Sequence, residues 1–167
     1  PPREEDAPVQ KITPFLWFDT EAEEAARFYV SIFANSKVGR ISRYPEGSPG
    51  GVAGQAMTVE FERDGQKLTG LNGGPHFKFT EAFSLSVDCA DQAEVDRLWA
   101  ALTADGGEES QCGWLKDRYG LSWQIVPRML TQLLSDPDGA KAQRVTEAML
   151  QMRKLDVATL QAAADRA

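Results

Sequence analysis

Two segments of the chain, residues 16–29 and residues 85–99, share one pattern of a strand, an aspartate and an acidic helix start. The first reads LWFDTEAEEAARFY and the second reads LSVDCADQAEVDRLW. In both, acidic residues fall in the first helical turn, where the helix dipole favours negative charge, and Asp19 and Thr20 can cap the first helix. A repeat of this length is too long for a solenoid unit. The chain therefore contains two copies of one strand–helix module.

Short strands follow the helix in each copy. In the first copy, alternating apolar and polar residues predict strands over 37–44, 55–62 and 66–72. In the second copy, the predicted strands are EESQC, WLKDR and LSWQIV. Asp64-Gly65 is typical of a two-residue hairpin turn, and Tyr119-Gly120 marks the turn before the last strand.

This order of elements predicts an α+β fold built from two βαβββ modules. The modules cover residues 11–72 and 83–127, and together they form one paired domain over residues 11–127. We expect a helix to cover the convex side of each curved sheet, which leaves the concave side free to line a cavity.

The remaining residues lie at the two ends of the chain. Residues 1–10, PPREEDAPVQ, are polar and proline-rich, so they predict a flexible arm and do not form a signal peptide. Apolar stripes predict helices over residues 128–167, with Leu130, Leu133 and Val145 among the stripe residues. These helices either cover the sheet of their own subunit or contact a second subunit, and the sequence favours the two interpretations equally.

Composition excludes several classes of protein. The net charge of −7 supplies no basic stripe that could neutralise phosphates, so a nucleic-acid partner is not expected. No apolar run approaches the ~18 residues of a membrane span, so no membrane partner is expected either. The two cysteines, Cys89 and Cys112, do not make a disulfide framework, and we expect reduced thiols in a cytoplasmic protein.

Several segments, in order along nearly the whole chain, resemble the PhnB-like branch of the vicinal oxygen chelate superfamily. That superfamily includes glyoxalase I, extradiol dioxygenases and bleomycin-resistance proteins, and the branch carries the label "3-demethylubiquinone-9 3-methyltransferase". The segments are FDTEAEEAARFY, LNGGPHFKFTEAFSLSVDC, DQAEVDRLW, CGWLKDRYGLSWQIVP and AMLQMRKLDVATLQAA. The resemblance implies paired βαβββ modules, a homodimer and a cavity formed by the concave sheets.

Superfamily enzymes hold a divalent metal with His and Glu from the first and last strands of each module. The resemblance places those four positions near Thr13-Pro14, near Asn72, near Ala82-Phe83 and at Gln124, because DRYGLSWQ matches the pattern of the final hairpin. None of these residues is His, Glu or Asp, which are the side chains that divalent metals prefer. We therefore expect no metal and no other cofactor.

Strand alternation gives candidates for the lining of a cavity that binds a small molecule. Aromatic walls with a few hydrogen-bonding groups are typical of ligand pockets. The predicted ligand-binding residues are Phe15, Trp17, Asn72, Ser84, Ser86, Ser122 and Gln124. The alternative for Phe15 and Trp17 is that they fill the sheet interior. His76 is the only histidine and thus the candidate general base if the protein is an enzyme, which the sequence does not decide.

Four functions remain open at this point. The favoured one is binding of an unidentified small molecule without a metal. The second is a metal-dependent lyase, isomerase or dioxygenase, which the missing ligand set disfavours. The third is the methyltransferase of the family label, although the glycines of GSPGG and LNGGP lie between strands and not at a nucleotide-binding turn. The fourth is a non-catalytic dimeric interaction protein.

Overall fold

The structure, a computed structural model, describes residues 9–167 and divides them into two units, residues 9–78 and residues 79–167. Residues 1–8 of the predicted flexible arm, which covers residues 1–10, lie outside the described residues. At its end, the side-chain amide of Gln10 donates to the carbonyl of Lys67 at 2.9 Å and accepts from the Lys67 N–H at 2.9 Å. Residue 10 is thus attached to the last strand of the first unit.

The first unit contains one βαβββ module, as the sequence predicts. Its sheet has the order β1-β4-β3-β2, with β1 parallel to β4 and the other pairs antiparallel. The elements are β1 (Phe15–Phe18), α1 (Ala22–Ile32), β2 (Ser36–Arg43), β3 (Ala56–Arg63) and β4 (Gln66–Asn72). Asp64 and Gly65 both have positive φ and form the predicted two-residue turn between β3 and β4.

The second unit repeats the module with the order β5-β8-β7-β6. Its first and last strands, β5 and β8, are again parallel neighbours. The elements are β5 (Ser84–Cys89), α2 (Gln92–Thr103), β6 (Glu108–Glu109), β7 (Trp114–Lys116) and β8 (Ser122–Pro127). The two modules confirm the predicted α+β fold.

The first helix is capped differently from the prediction. Residues 19 and 20 were expected to supply the cap, but the cap position is Glu21 and its side chain makes no capping bond. Instead, the Oδ1 atom of Asn72 accepts a hydrogen bond from the Ala22 N–H at 2.9 Å. Register explains the difference, because Asn72 pairs with Phe18 at the end of β1 and its amide faces the first turn of α1.

The C-terminal helices belong to the second unit and pack against one another. They are α3 (Arg128–Leu134), α4 (Gly139–Leu150) and α5 (Val157–Asp165). The backbone N–H groups of Cys112 and Gly113 donate to the carbonyls of Met152 and Arg153, each at 2.8 Å. The helices share a buried apolar cluster, which consists of Leu130, Val145, Leu155, Leu160 and Ala164.

None of the helices in the described part of the chain is long and apolar enough to cross a membrane.

Candidate functional site

Strand register assigns most of the sequence-predicted site residues to one face of each sheet. In β1, Leu16 and Phe18 are buried on the side of α1, and in β8, Trp123 and Ile125 are buried on the side of α2. We call the opposite face of each sheet its distal face. On the first sheet the distal face carries Phe15, Trp17, Thr69 and Leu71, and on the second sheet it carries Ser84, Ser86, Ser122 and Gln124.

Gln124 makes a direct contact with another predicted site residue. Its Nε2 atom donates a hydrogen bond to the Oγ atom of Ser84 at 3.0 Å, and both side chains are half-buried. Ser86 pairs with Gln124 in the parallel register and is exposed. These three side chains therefore form one polar patch in the second unit.

Ser122 lies beside this patch and is 1% exposed. Its hydroxyl has no hydrogen-bond partner among the described residues. A buried polar group that lacks a partner costs about 1–3 kcal/mol. The second distal face therefore contains an unused hydrogen-bonding group.

Two residues that the sequence reasoning missed share this face. Trp114 pairs with Gln124, and Lys116 pairs with Ser122, in the antiparallel register of β7 and β8. Leu115, between them, is buried on the helix side. The alternation of WLK is the signal that could have assigned Trp114 and Lys116 to the distal face.

Lys116 is already neutralised by acidic neighbours. Its ammonium group forms an ion pair with Glu81, and this hydrogen bond is the main reason why the pKa of Lys116 is raised, with the charges of Glu81 and Glu108 adding to the effect. The same contact lowers the pKa of Glu81. The pair is exposed, so it adds little to stability.

The final hairpin is held by a buried carboxylate. Asp117 is 2% exposed and accepts hydrogen bonds from the N–H groups of Tyr119 and Leu121 and from the indole Nε1 of Trp123, at distances of 2.8, 3.1 and 2.9 Å. Gly120 has a φ of 85°, which favours glycine. These bonds fix the register of β8 and hence the position of Gln124.

The first distal face is aromatic. Phe15 is 60% exposed, while the indole of Trp17 donates to the Gly74 carbonyl at 2.9 Å and meets the ring of Phe77 edge-on with centroids 4.9 Å apart. Asn72, by contrast, faces α1: its amide bonds Ala22 N–H and the Ala56 carbonyl, and it is 4% exposed. This placement removes Asn72 from the distal face, because its parity is that of Phe18.

His76, the candidate general base, belongs to the first unit. It lies in the loop after β4 and is exposed. Its ring is the nearest group to Gly74, at 3.6 Å from the position that a Cβ atom would occupy. Among residues 9–78, no carboxylate forms an ion pair with His76 that would orient it as a base.

A cavity of about 300 Å³ opens where the second distal face meets α3. The sheet contributes residues near the carboxyl ends of β5 and β8, and the helix contributes its first two turns. The lining residues are Ser86, Asp88, Val126, Arg128, Thr131 and Gln132.

The donor chemistry of this face does not fit a divalent metal. Among residues 9–167, no three His, Cys, Asp or Glu side chains lie close enough together to hold an ion. Gln124 presents a neutral amide that is already bonded to Ser84, and amides bind divalent ions weakly.

The chain matches known proteins over its two modules. The family model described as 3-demethylubiquinone-9 3-methyltransferase matches residues 10–126, whereas no curated protein matches the chain. A Bacillus cereus structure, provisionally described as a 3-demethylubiquinone-9 3-methyltransferase and PhnB protein, is 37% identical with a TM-score of 0.65, and the match covers 71% of this chain and 99% of that one.

More distant structures share the fold. Protein PA1353 from Pseudomonas aeruginosa is 20% identical with a TM-score of 0.59, and the match covers 71% of this chain and 98% of that chain. The family match ends before α3, so the three C-terminal helices lie outside it.

Proposed function

Since the chain belongs to the 3-demethylubiquinone-9 3-methyltransferase family of PhnB-like proteins, we propose that it uses the βαβββ fold to bind a small organic molecule without a metal. The observation that carries this proposal is the hydrogen-bonded pair of Gln124 and Ser84 on the second distal face. By the resemblance described above, Gln124 occupies the position at which metal-dependent relatives carry a carboxylate ligand.

The chemistry of the second distal face suits hydrogen bonding. An amide both donates and accepts, and a serine hydroxyl does the same, so the face can match a carbonyl or a hydroxyl group. Ser122 lies beside this pair, and its buried hydroxyl has no partner among the described residues. Trp114 adds an aromatic surface beside Gln124. A few polar groups next to an aromatic one are typical of ligand sites.

We also propose Phe15 and Trp17 as ligand-binding residues of the first unit, taken by itself. Phe15 is largely exposed, and Trp17 is half-buried and fixed by Gly74 and Phe77. Exposed aromatic side chains of this kind bind apolar parts of ligands. We do not include Asn72, because both of its amide atoms are used within the first unit.

The test is a thermal-shift screen of a metabolite library against the wild-type protein and two variants. Gln124→Met keeps the length of the side chain and removes its hydrogen bonds, and Gln151→Met makes the same change at an exposed site at the end of α4. We expect compounds that stabilise the wild type and Gln151→Met but lose most of the shift with Gln124→Met. Equal shifts for all three proteins would contradict the proposal.

The methyltransferase activity in the family name remains an alternative. It would be supported by calorimetry that shows micromolar binding of S-adenosylmethionine. We propose binding alone and assign no reaction.

We further propose that the protein is a homodimer in a reducing, cytoplasmic setting. Both cysteines are free, with Cys89 buried and Cys112 half-buried, which is typical of proteins kept in reduced form. Sedimentation equilibrium of the full chain tests the dimer, and a monomer across the accessible concentration range would contradict it.

A further inference from the structure

The cavity beside α3 is built partly by residues outside the family match. Arg128, Thr131 and Gln132 belong to α3, whereas Ser86 and Asp88 belong to the distal side of β5. Since the family model ends at residue 126, the helix adds polar groups to a face that the two modules alone would leave bare at this end.

Arg128 is held in one orientation but keeps most of its donors available. Its Nε atom donates to the Oδ2 atom of Asp88 at 3.0 Å. The two terminal nitrogens of the guanidinium have no hydrogen-bond partner among the described residues, and the side chain is 57% exposed. An arginine fixed through Nε can still offer its terminal nitrogens to a planar anion.

We propose that Arg128 binds the carboxylate of a small organic acid whose other end reaches Gln124. The inference rests on the proposed function, because it names the class of molecule that the second distal face binds. The guanidinium of Arg128 is bonded to Asp88, which pairs with Val126 in the register of β5 and β8, and Val126 lies two residues, or about 7 Å, from Gln124 on the same face. That span fits a molecule about the size of one substituted ring.

A carboxylate fits the cavity better than a phosphate. Arg128 is the only cation among the lining residues, and Asp88, the only acid, is paired with it. Thr131 and Gln132 supply neutral donors, and Val126 supplies apolar surface. The pair of Arg128 and Asp88 leaves the cavity without net charge, so a doubly charged phosphate would lack cationic partners, whereas a carboxylate needs only the two terminal nitrogens of the guanidinium.

The test compares benzoate, benzamide and inorganic phosphate by chemical-shift titration of the full chain. Benzamide keeps the ring and loses the charge. Arg128→Gln removes the proposed anchor, and Arg153→Gln is the matched control, since Arg153 is 65% exposed in an ion pair with Glu109 in the same unit but outside the cavity. Circular dichroism checks that both variants remain folded.

We expect benzoate to bind the wild type and Arg153→Gln equally, and Arg128→Gln at least about tenfold more weakly. Benzamide should bind more weakly than benzoate and respond little to Arg128→Gln. The inference is overturned if benzoate does not bind, if phosphate binds more tightly, or if the two arginine variants behave alike. Benzoate binding that survives Arg128→Gln but is lost in Gln124→Met would overturn this inference and leave the proposed function standing.

Discussion

The two modules have the same topology and the same register, yet their distal faces have opposite chemistry. The parallel pairs of β1 with β4 and of β5 with β8 correspond position by position in their registers. The corresponding distal residues are Phe15 and Ser84, Trp17 and Ser86, Thr69 and Ser122, and Leu71 and Gln124. The first face is mainly aromatic and apolar, whereas the second is mainly hydroxyl and amide. One fold therefore tolerates either chemistry on this face, since the core lies on the other side of each sheet.

The connections within the modules also differ. In the first module, the N-terminus of α1 is bonded by Asn72 from a neighbouring strand, whereas in the second Asp91 caps α2 itself by accepting from the Glu94 N–H at 2.9 Å. Ile125 occupies the position equivalent to Asn72. The first module depends on a long-range polar contact where the second uses a local one.

The largest difference is expected at the final hairpin of each module. Asp117→Ala would leave three buried or half-buried N–H donors without their acceptor, so we expect the free energy of unfolding to fall by about 3 kcal/mol. Asp64→Ala, in the tight turn of the first module, changes an exposed residue at φ 49° and should cost only about 1 kcal/mol. Urea denaturation of both variants measures the two values, and equal losses would refute the assigned role of Asp117.

A smaller difference is expected at the helix caps. Asn72→Ala removes the bonds to Ala22 and Ala56 inside the first module and should lower the free energy of unfolding by about 2 kcal/mol. Asp91→Ala removes an exposed cap and should cost about 1 kcal/mol. Denaturation curves with unchanged m-values provide the comparison. A larger loss in the free energy of unfolding for Asp91→Ala than for Asn72→Ala would contradict the role assigned to Asn72.

The effect expected to be smallest at neutral pH concerns the junction between the first strand and the helix of the second module. Cys89 is fully buried there, and burial raises the pKa of its thiol to about 11. The unfolded chain ionises first, near pH 8.5, so the contribution of Cys89 to stability should be complete below that pH and decline as the pH rises toward 11. Cys89→Ala should flatten this part of the stability profile.

Thiol labelling gives an independent check of the same junction. At pH 8, Cys112 should react quickly because its side chain is partly exposed. Cys89 is buried and should react only when the chain unfolds. The Cys112→Ala variant identifies the fast thiol. Rapid labelling of that variant without denaturant would show that Cys89 is accessible.

The fold was largely predictable from the sequence because it depends on local patterns. The duplicated acidic helix start, the alternation in the strands and Asp64-Gly65 all act over a few residues, and the structure confirms the elements that they predicted. The role of Asn72 was not predictable, because it depends on a register across 50 residues. Lys116 and Trp114 were missed because WLK is a strand of three residues, too short for its alternation to stand out.

The sequence could suggest Gln124 as a site residue but not its surroundings. Its contact with Ser84 joins residues 40 positions apart, and the cavity beside α3 depends on how that helix turns after Pro127. Arg128 follows β8 directly, yet only its bond to Asp88 shows which way the guanidinium points. Whether the predicted site residues bind a ligand stays a prediction.

The most direct test of the account is native mass spectrometry of the full chain, combined with elemental analysis of the same preparation. After incubation with a stabilising compound from the screen, we expect one bound organic molecule per chain in the wild type, little in Gln124→Met, and no divalent metal in stoichiometric amount. Zinc, nickel, iron or manganese present in stoichiometric amount would contradict the account, whether Gln124→Met retains the metal or loses it together with the ligand.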